Sequence, residues 1–75
     1  MAGSSMTIGG HTVDYFDSRT TPGGEMGAMD VIEQTKLPSI LKSSEGDFVC
    51  WIDGYTAGRF STLGAAQNAM RSLLR

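Results

Sequence analysis

Five groups of residues in this 75-residue chain have the types and spacing to do chemistry. His11, Asp14 and Asp17 bring an imidazole and two carboxylates into one short segment. That is the raw material of an acid–base pair or a weak metal site. Their spacing matches no ligand pattern, and a solvated strand edge accounts for all three. Cys50 would be a nucleophile with a base beside it. It sits between Val49 and Trp51 in an apolar run, where a cysteine serves as a small core residue. Pro22-Gly23-Gly24-Glu25-Met26-Gly27 has the look of a phosphate-cradling loop ahead of a helix. It lacks the Lys-Ser/Thr that such loops carry, and Glu25 and Asp30 would repel phosphate, so it reads as a flexible loop. Met6, Met26, Met29 and Met70 are numerous for the length. They read as fillers of a small core rather than an adaptable binding surface. No residue set is assigned to catalysis, to a cofactor or to a metal.

The fifth group is Tyr55, Arg59, Gln67, Arg71 and Arg75, the candidate partner-binding residues. Tyr55 lies beside a turn, where an aromatic ring is exposed for contact. Trp51, Tyr55, Phe60 and Arg59 together suggest a stacking platform for nucleic acid. Core packing explains Trp51 and Phe60 more simply. Three arginines and a pI near 5.0 make a thin basic footprint for a nucleic-acid binder. Net charge is −2, divided as −5 over residues 1–53 and +3 over residues 54–75. Two halves that pack together and neutralise each other explain the division.

The elements that position these residues follow from pattern. Asp53-Gly54 between two apolar runs is a strong short-range hairpin signal, predicting strands over 47–52 and 55–61. Ser61 or Thr62 offers an N-cap hydroxyl. Beyond it, Leu63, Ala66, Met70 and Leu73 fall on one stripe of a C-terminal helix, 62–74. Arg71 and Arg75 suit the C-terminal end of its dipole. Gly64 weakens its first turn by up to about 1 kcal/mol and reads as a place of close approach. His11 to Asp17 alternates as a strand, with Val13 and Tyr15 on one side and Phe16 on the other. Residues 17–24 read as a loop, made mobile by Gly23, Gly24 and Gly27. Residues 28–36 read as a short helix stopped by Pro38, although the Val31-Ile32 pair permits a strand instead. Ser39 to Ser43 reads as a further short strand. Residues 7–10 read as a flexible lead-in. Met1 to Ser5 reads as an expression remnant, with Met6 the natural start and 6–75 a single domain.

The expected fold is therefore α+β: a small antiparallel sheet of three to four strands packed against the 62–74 helix, with a second short helix near 28–36. The order of short helix, three strands and helix over residues 28–74 is similar to the double-stranded-RNA-binding domain. It is similar too to the strand-strand-strand-helix modules of integrase arm-binding domains. The RNA-binding family carries lysines at the start of its last helix, where this chain has Leu63-Gly64-Ala65-Ala66-Gln67. RNA binding is therefore not carried over, and no family is assigned.

Pairing the 47–52 and 55–61 strands across a two-residue turn puts Phe48, Cys50, Ile52, Tyr55 and Ala57 on one face. Val49, Trp51 and Phe60 fall on the other. Both faces are apolar, and the C-terminal helix can cover only one. The other needs the N-terminal strand and short helix, a second subunit or a binding partner. A chain this small buries only about 60% of its unfolded surface, so self-association into a homodimer or capture of a protein partner is the favoured expectation. One cysteine excludes an internal disulfide, which points to a reducing cytoplasm. No apolar run approaches the roughly 20 residues that a membrane span needs. The functional expectation is a non-enzymatic protein-interaction module, an inhibitor or adaptor of the phage or mobile-element kind. Nucleic-acid binding through the basic and aromatic C-terminal face is the alternative.

Overall fold

A computed structural model describes residues 4–75. The chain starts with an antiparallel hairpin of β1 (Ser4–Ile8) and β2 (His11–Asp17). Helix α1 (Gly24–Thr35) then carries it across to β3 (Ser39–Lys42), which pairs parallel to β2. Strands β4 (Phe48–Ile52) and β5 (Tyr55–Phe60) continue as an antiparallel meander, and α2 (Leu63–Leu73) closes the chain. Strand order is β1-β2-β3-β4-β5, so β1 and β5 are the edges.

The class is α+β with a C-terminal helix, as the pattern predicts, but the sheet has five strands and is mixed rather than antiparallel. The additional strand is β1. Its register runs unbroken from Ser4 opposite Tyr15 to Ile8 opposite His11. Residues 7–10 are thus the end of a strand and its turn rather than a flexible lead-in. Gly9 and Gly10, at φ 58° and 83°, supply the two left-handed residues of a type I′ turn. Ser4 and Ser5, set apart from the domain in the sequence reading, belong to this strand.

Residues 28–35 are helical, but α1 begins four residues earlier than expected, at Gly24, and ends at Thr35. Gly23, Gly24 and Gly27 belong to the helix and its cap rather than to a mobile loop. Gly23 takes the left-handed N-cap conformation, φ 81°. Gly27 sits where a Cβ would collide with the carbonyl oxygen of Pro22. Glycine here permits close backbone approach rather than motion. At the other end Lys36 turns left-handed, its N–H donates to the Ile32 carbonyl, and Pro38 follows.

The two helices cover opposite faces of the sheet. Under α2 lie Ile8, Val13, Ile40, Cys50, Ala66 and Met70, all buried, ringed by Met6, Tyr15, Phe48, Ile52, Phe60, Leu63, Ala69 and Leu74. Under α1 lie Phe16, Ala28, Ile32, Leu41, Val49 and Trp51, with Met29 against them. Full burial of one such Ile, Leu or Met side chain contributes roughly 1.5–3 kcal/mol. Of the covers the sequence left open for the second face of the β4–β5 hairpin, the structure shows the chain's own N-terminal half, with Phe16, Ala28 and Ile32 against Val49 and Trp51.

Two details of α2 depart from expectation. Leu73 is half-exposed, and Leu74 packs inward in its place. A Cβ on Gly64 would meet nothing within 4 Å among the described residues, so none of them approaches the helix closely there.

Candidate interaction surface

The β4–β5 turn is type I′, with Asp53 at φ 54° and Gly54 at φ 85°. Ile52 pairs with Tyr55 and Trp51 with Thr56. The register then slips: Cys50 faces Gly58, Val49 faces Arg59 and Phe48 faces Phe60. Ala57 is the extra residue of a β-bulge. Phe60 is thereby turned onto the α2 face, against Phe48, where the simple register had put it with Val49 and Trp51. Gly58 makes room for it, since a Cβ there would lie 2.9 Å from the Phe60 ring. Ala57, exposed at the edge, joins neither core.

The bulge also separates two candidate residues. Tyr55 is opposite Ile52, on the α2 side, whereas Arg59 is opposite Val49, on the α1 side. Tyr55 is 75% exposed. Its turn is braced from below, because a Cβ on Gly54 would sit 3.6 Å from the Glu33 carbonyl oxygen and from Lys36 Cγ. Leu37, next along from Lys36, is half-exposed at the same end of the molecule. A bare aromatic ring and an aliphatic side chain thus flank a turn that α1 holds in place.

Arg59 is half-exposed and donates to Asp47 Oδ2 at 3.1 Å. An exposed pair of this kind contributes about 0–1 kcal/mol. Arg59 also lines a shallow depression with Val49, Thr56 and Gly58. Glu25, in the first turn of α1, accepts from the Ser44 N–H and hydroxyl, each at 3.0 Å. Those two bonds hold its carboxyl below the usual value, with a smaller contribution from Arg59. On α2, Arg71 donates to Asn68 Oδ1 at 3.3 Å, and Gln67 Nε2 lies 3.4 Å from the Met6 sulfur on β1. Arg75 is exposed at the C-terminus. The structure therefore brings Gln67 and Arg71 together beside β1 and places Arg59 on the other side of the sheet.

The remaining groups have local roles. Asp17 accepts from the Arg19 N–H, and its carbonyl holds Thr20 and Thr21 in the turn after β2. Among the described residues no cluster of three His, Cys, Asp or Glu is close enough to hold a metal ion. Cys50 is buried, its Sγ 3.5 Å from the Ala66 carbonyl, and burial pushes its thiol up to about 11. The thiolate needed for nucleophilic attack is thus scarce at neutral pH. The Pro22–Gly27 loop leads into α1, where Glu25 is spent on Ser44. No helix is long and apolar enough to cross a membrane, among the described residues.

Sequence reasoning missed Leu37 and the β1 edge. Leu37 precedes the Pro38 that stops α1, and nothing in its residue type marks it as exposed. The Gly9-Gly10 pair between two alternating runs was the available signal for β1. No family model matches the chain, and no curated protein or solved structure proves significantly similar to it.

Proposed function

We propose that this chain is a non-enzymatic protein-interaction module that meets its partner at the β4–β5 tip and works as a homodimer. The observation that carries the reading is Tyr55, 75% exposed on a turn braced by α1. An exposed aromatic ring has only two side-chain torsions to lose on binding and offers a large apolar contact, the qualities that make aromatics dominate interfaces. Leu37, half-exposed next to the Lys36 that abuts the turn, is a second apolar side chain at this end. With α1 covering the second face of the sheet, the reason for a dimer passes from an open face to an open edge. An inhibitor or adaptor acting in a reducing cytoplasm, of the phage or mobile-element kind, fits a small acidic chain whose one cysteine is buried.

The test is affinity capture from the organism that encodes the chain, with wild type and Tyr55→Ala in parallel. The variant is expected to keep its thermal midpoint and to bind the captured partner about 30-fold or more weakly, the effect of losing a hot-spot residue. Equal capture by both proteins overturns the reading.

Nucleic-acid binding ranks second. Arg59 is neutralised by Asp47 and lies across the sheet from Arg71, so the cations do not add on one surface. Titration with duplex and single-stranded nucleic acid at low salt separates the readings. Binding that falls steeply with added salt would favour the second.

A further inference from the structure

The two edges of the sheet are unequally protected. Edge strands expose unpaired backbone groups, and proteins blunt them with bulges, charges or prolines. On β5 the Ala57 bulge breaks the register, and Arg59 stands on the strand in an ion pair with Asp47. On β1, Ser-Ser-Met-Thr-Ile has no charge and no proline, and its register with β2 is unbroken.

We infer that β1 is the dimer surface, and that a second copy of this chain adds its own β1 antiparallel to the first, on a two-fold axis at Met6. The inference rests on the homodimer proposed above and assigns its surface. The Gly9-Gly10 turn makes Ile8–His11 the closing hydrogen-bonded pair of the hairpin. Antiparallel pairing alternates from there, so Met6–Val13 and Ser4–Tyr15 bond inward. The N–H and C=O groups of Ser5 and Thr7 are consequently turned outward. In the register centred on Met6, Ser5 of one copy faces Thr7 of the other, and both outward pairs exchange their bonds. The two sheets become one of ten strands.

The side chains suit the same register. Met6 lies on the α2 side and packs against the buried core there, so two adjacent Met6 side chains extend one apolar layer. Gln67 lies over Met6, 3.4 Å from its sulfur, which puts the Gln67 amides of the two copies on either side of the axis. An amide is donor and acceptor at once and can pair with its own copy. Ser5 and Thr7, both exposed, meet across the strands as hydroxyls on the α1 side. An uncharged strand meets its own copy without like-charge repulsion. Pairing of β1 with β5 of another copy would be head-to-tail and open-ended, and the Ala57 bulge obstructs it.

The test is solution mass against protein concentration, by light scattering or sedimentation, for wild type, Thr7→Pro and Ser5→Lys. The Thr7 N–H faces away from β2, so proline removes a donor only from the proposed contact, and edge positions of this kind tolerate it. Wild type is expected to shift from monomer to dimer as concentration rises. Thr7→Pro is expected to stay monomeric over the same range with its circular dichroism and thermal midpoint retained. Should Thr7→Pro unfold, Ser5→Lys decides by the same readout. A wild type that is monomeric at every soluble concentration overturns both the homodimer and this surface. A dimer that survives in a folded Thr7→Pro or Ser5→Lys, or one that Tyr55→Ala disperses, overturns this surface alone.

Discussion

The two faces of the sheet bury cores of similar size by different means. On the α2 face the helix does the work in ordinary fashion. Thr62 accepts from the Ala65 N–H as an N-cap, and Leu63, Ala66 and Met70 point down at helical spacing. On the α1 face the helix begins with glycines and has no side-chain N-cap, although like α2 it buries two residues fully, here Ala28 and Ile32. What holds it is close approach. Gly27 lies against the Pro22 carbonyl, Glu25 is bonded to Ser44, and the last turn abuts Gly54. One helix is specified by its own periodicity, the other by what it touches.

The comparison is tested hardest by emptying each core. Ile32 and Met70 are both 0% exposed. Replacing either with alanine should cost about 2–5 kcal/mol, a large part of the stability of a domain this small. Urea titration of Ile32→Ala and Met70→Ala checks this. A cost below about 1 kcal/mol for Ile32→Ala would mean that α1 is not the cover of its face. Next come two glycines that should respond with opposite sign. Gly27→Ala inserts a methyl group against the Pro22 carbonyl and should destabilise by about 1–3 kcal/mol. Gly64→Ala, in open space on α2, should stabilise by about 0.5–1 kcal/mol because the unfolded chain loses freedom. Thermal midpoints moving in the same direction would erase the distinction between the helices.

The smallest effect is electrostatic. Glu25 has its pKa lowered by the Ser44 bonds, so the folded state favours the carboxylate. Its contribution is present above the ordinary carboxylate value of 4.5 and is lost as pH falls through the lower, folded value. Glu25→Gln should therefore be less stable than wild type at neutral pH. The gap in urea midpoint should narrow on acidification below that value. A gap independent of pH would mean that charge plays no part in docking the start of α1.

The same contrast explains what the sequence disclosed. Asp53-Gly54, the Thr62 cap and the α2 stripe are local signals, and each was legible. The α1 start was hidden because Gly23, Gly24 and Gly27 carry the same letters whether a loop is loose or a helix is tightly docked. Strand β1 was hidden because Ser4, Ser5 and Thr7 are small and polar, with only Met6 and Ile8 to mark an inward face. The exposure of Tyr55 followed from its place beside the turn. The separation of Arg59 from Tyr55 and from Arg71 did not, because it depends on the Ala57 bulge and on which face each helix takes. Alanine gives no sign of a bulge, and Gly58 was the only mark of it.

The parallel joint between β2 and β3 also sets an order of assembly. Every other strand pair joins neighbours across a short turn, whereas Asp14 meets Ser39 only after α1 has crossed the sheet. Contacts distant along the chain must be reached against loop-closure entropy. The β3–β4–β5–α2 segment contains only sequence-local pairings and can condense first. The β1–β2 hairpin is then expected to dock last, on the β3 edge. Substitutions in α2 should accordingly slow refolding, while substitutions at the β2–β3 joint should mainly hasten unfolding.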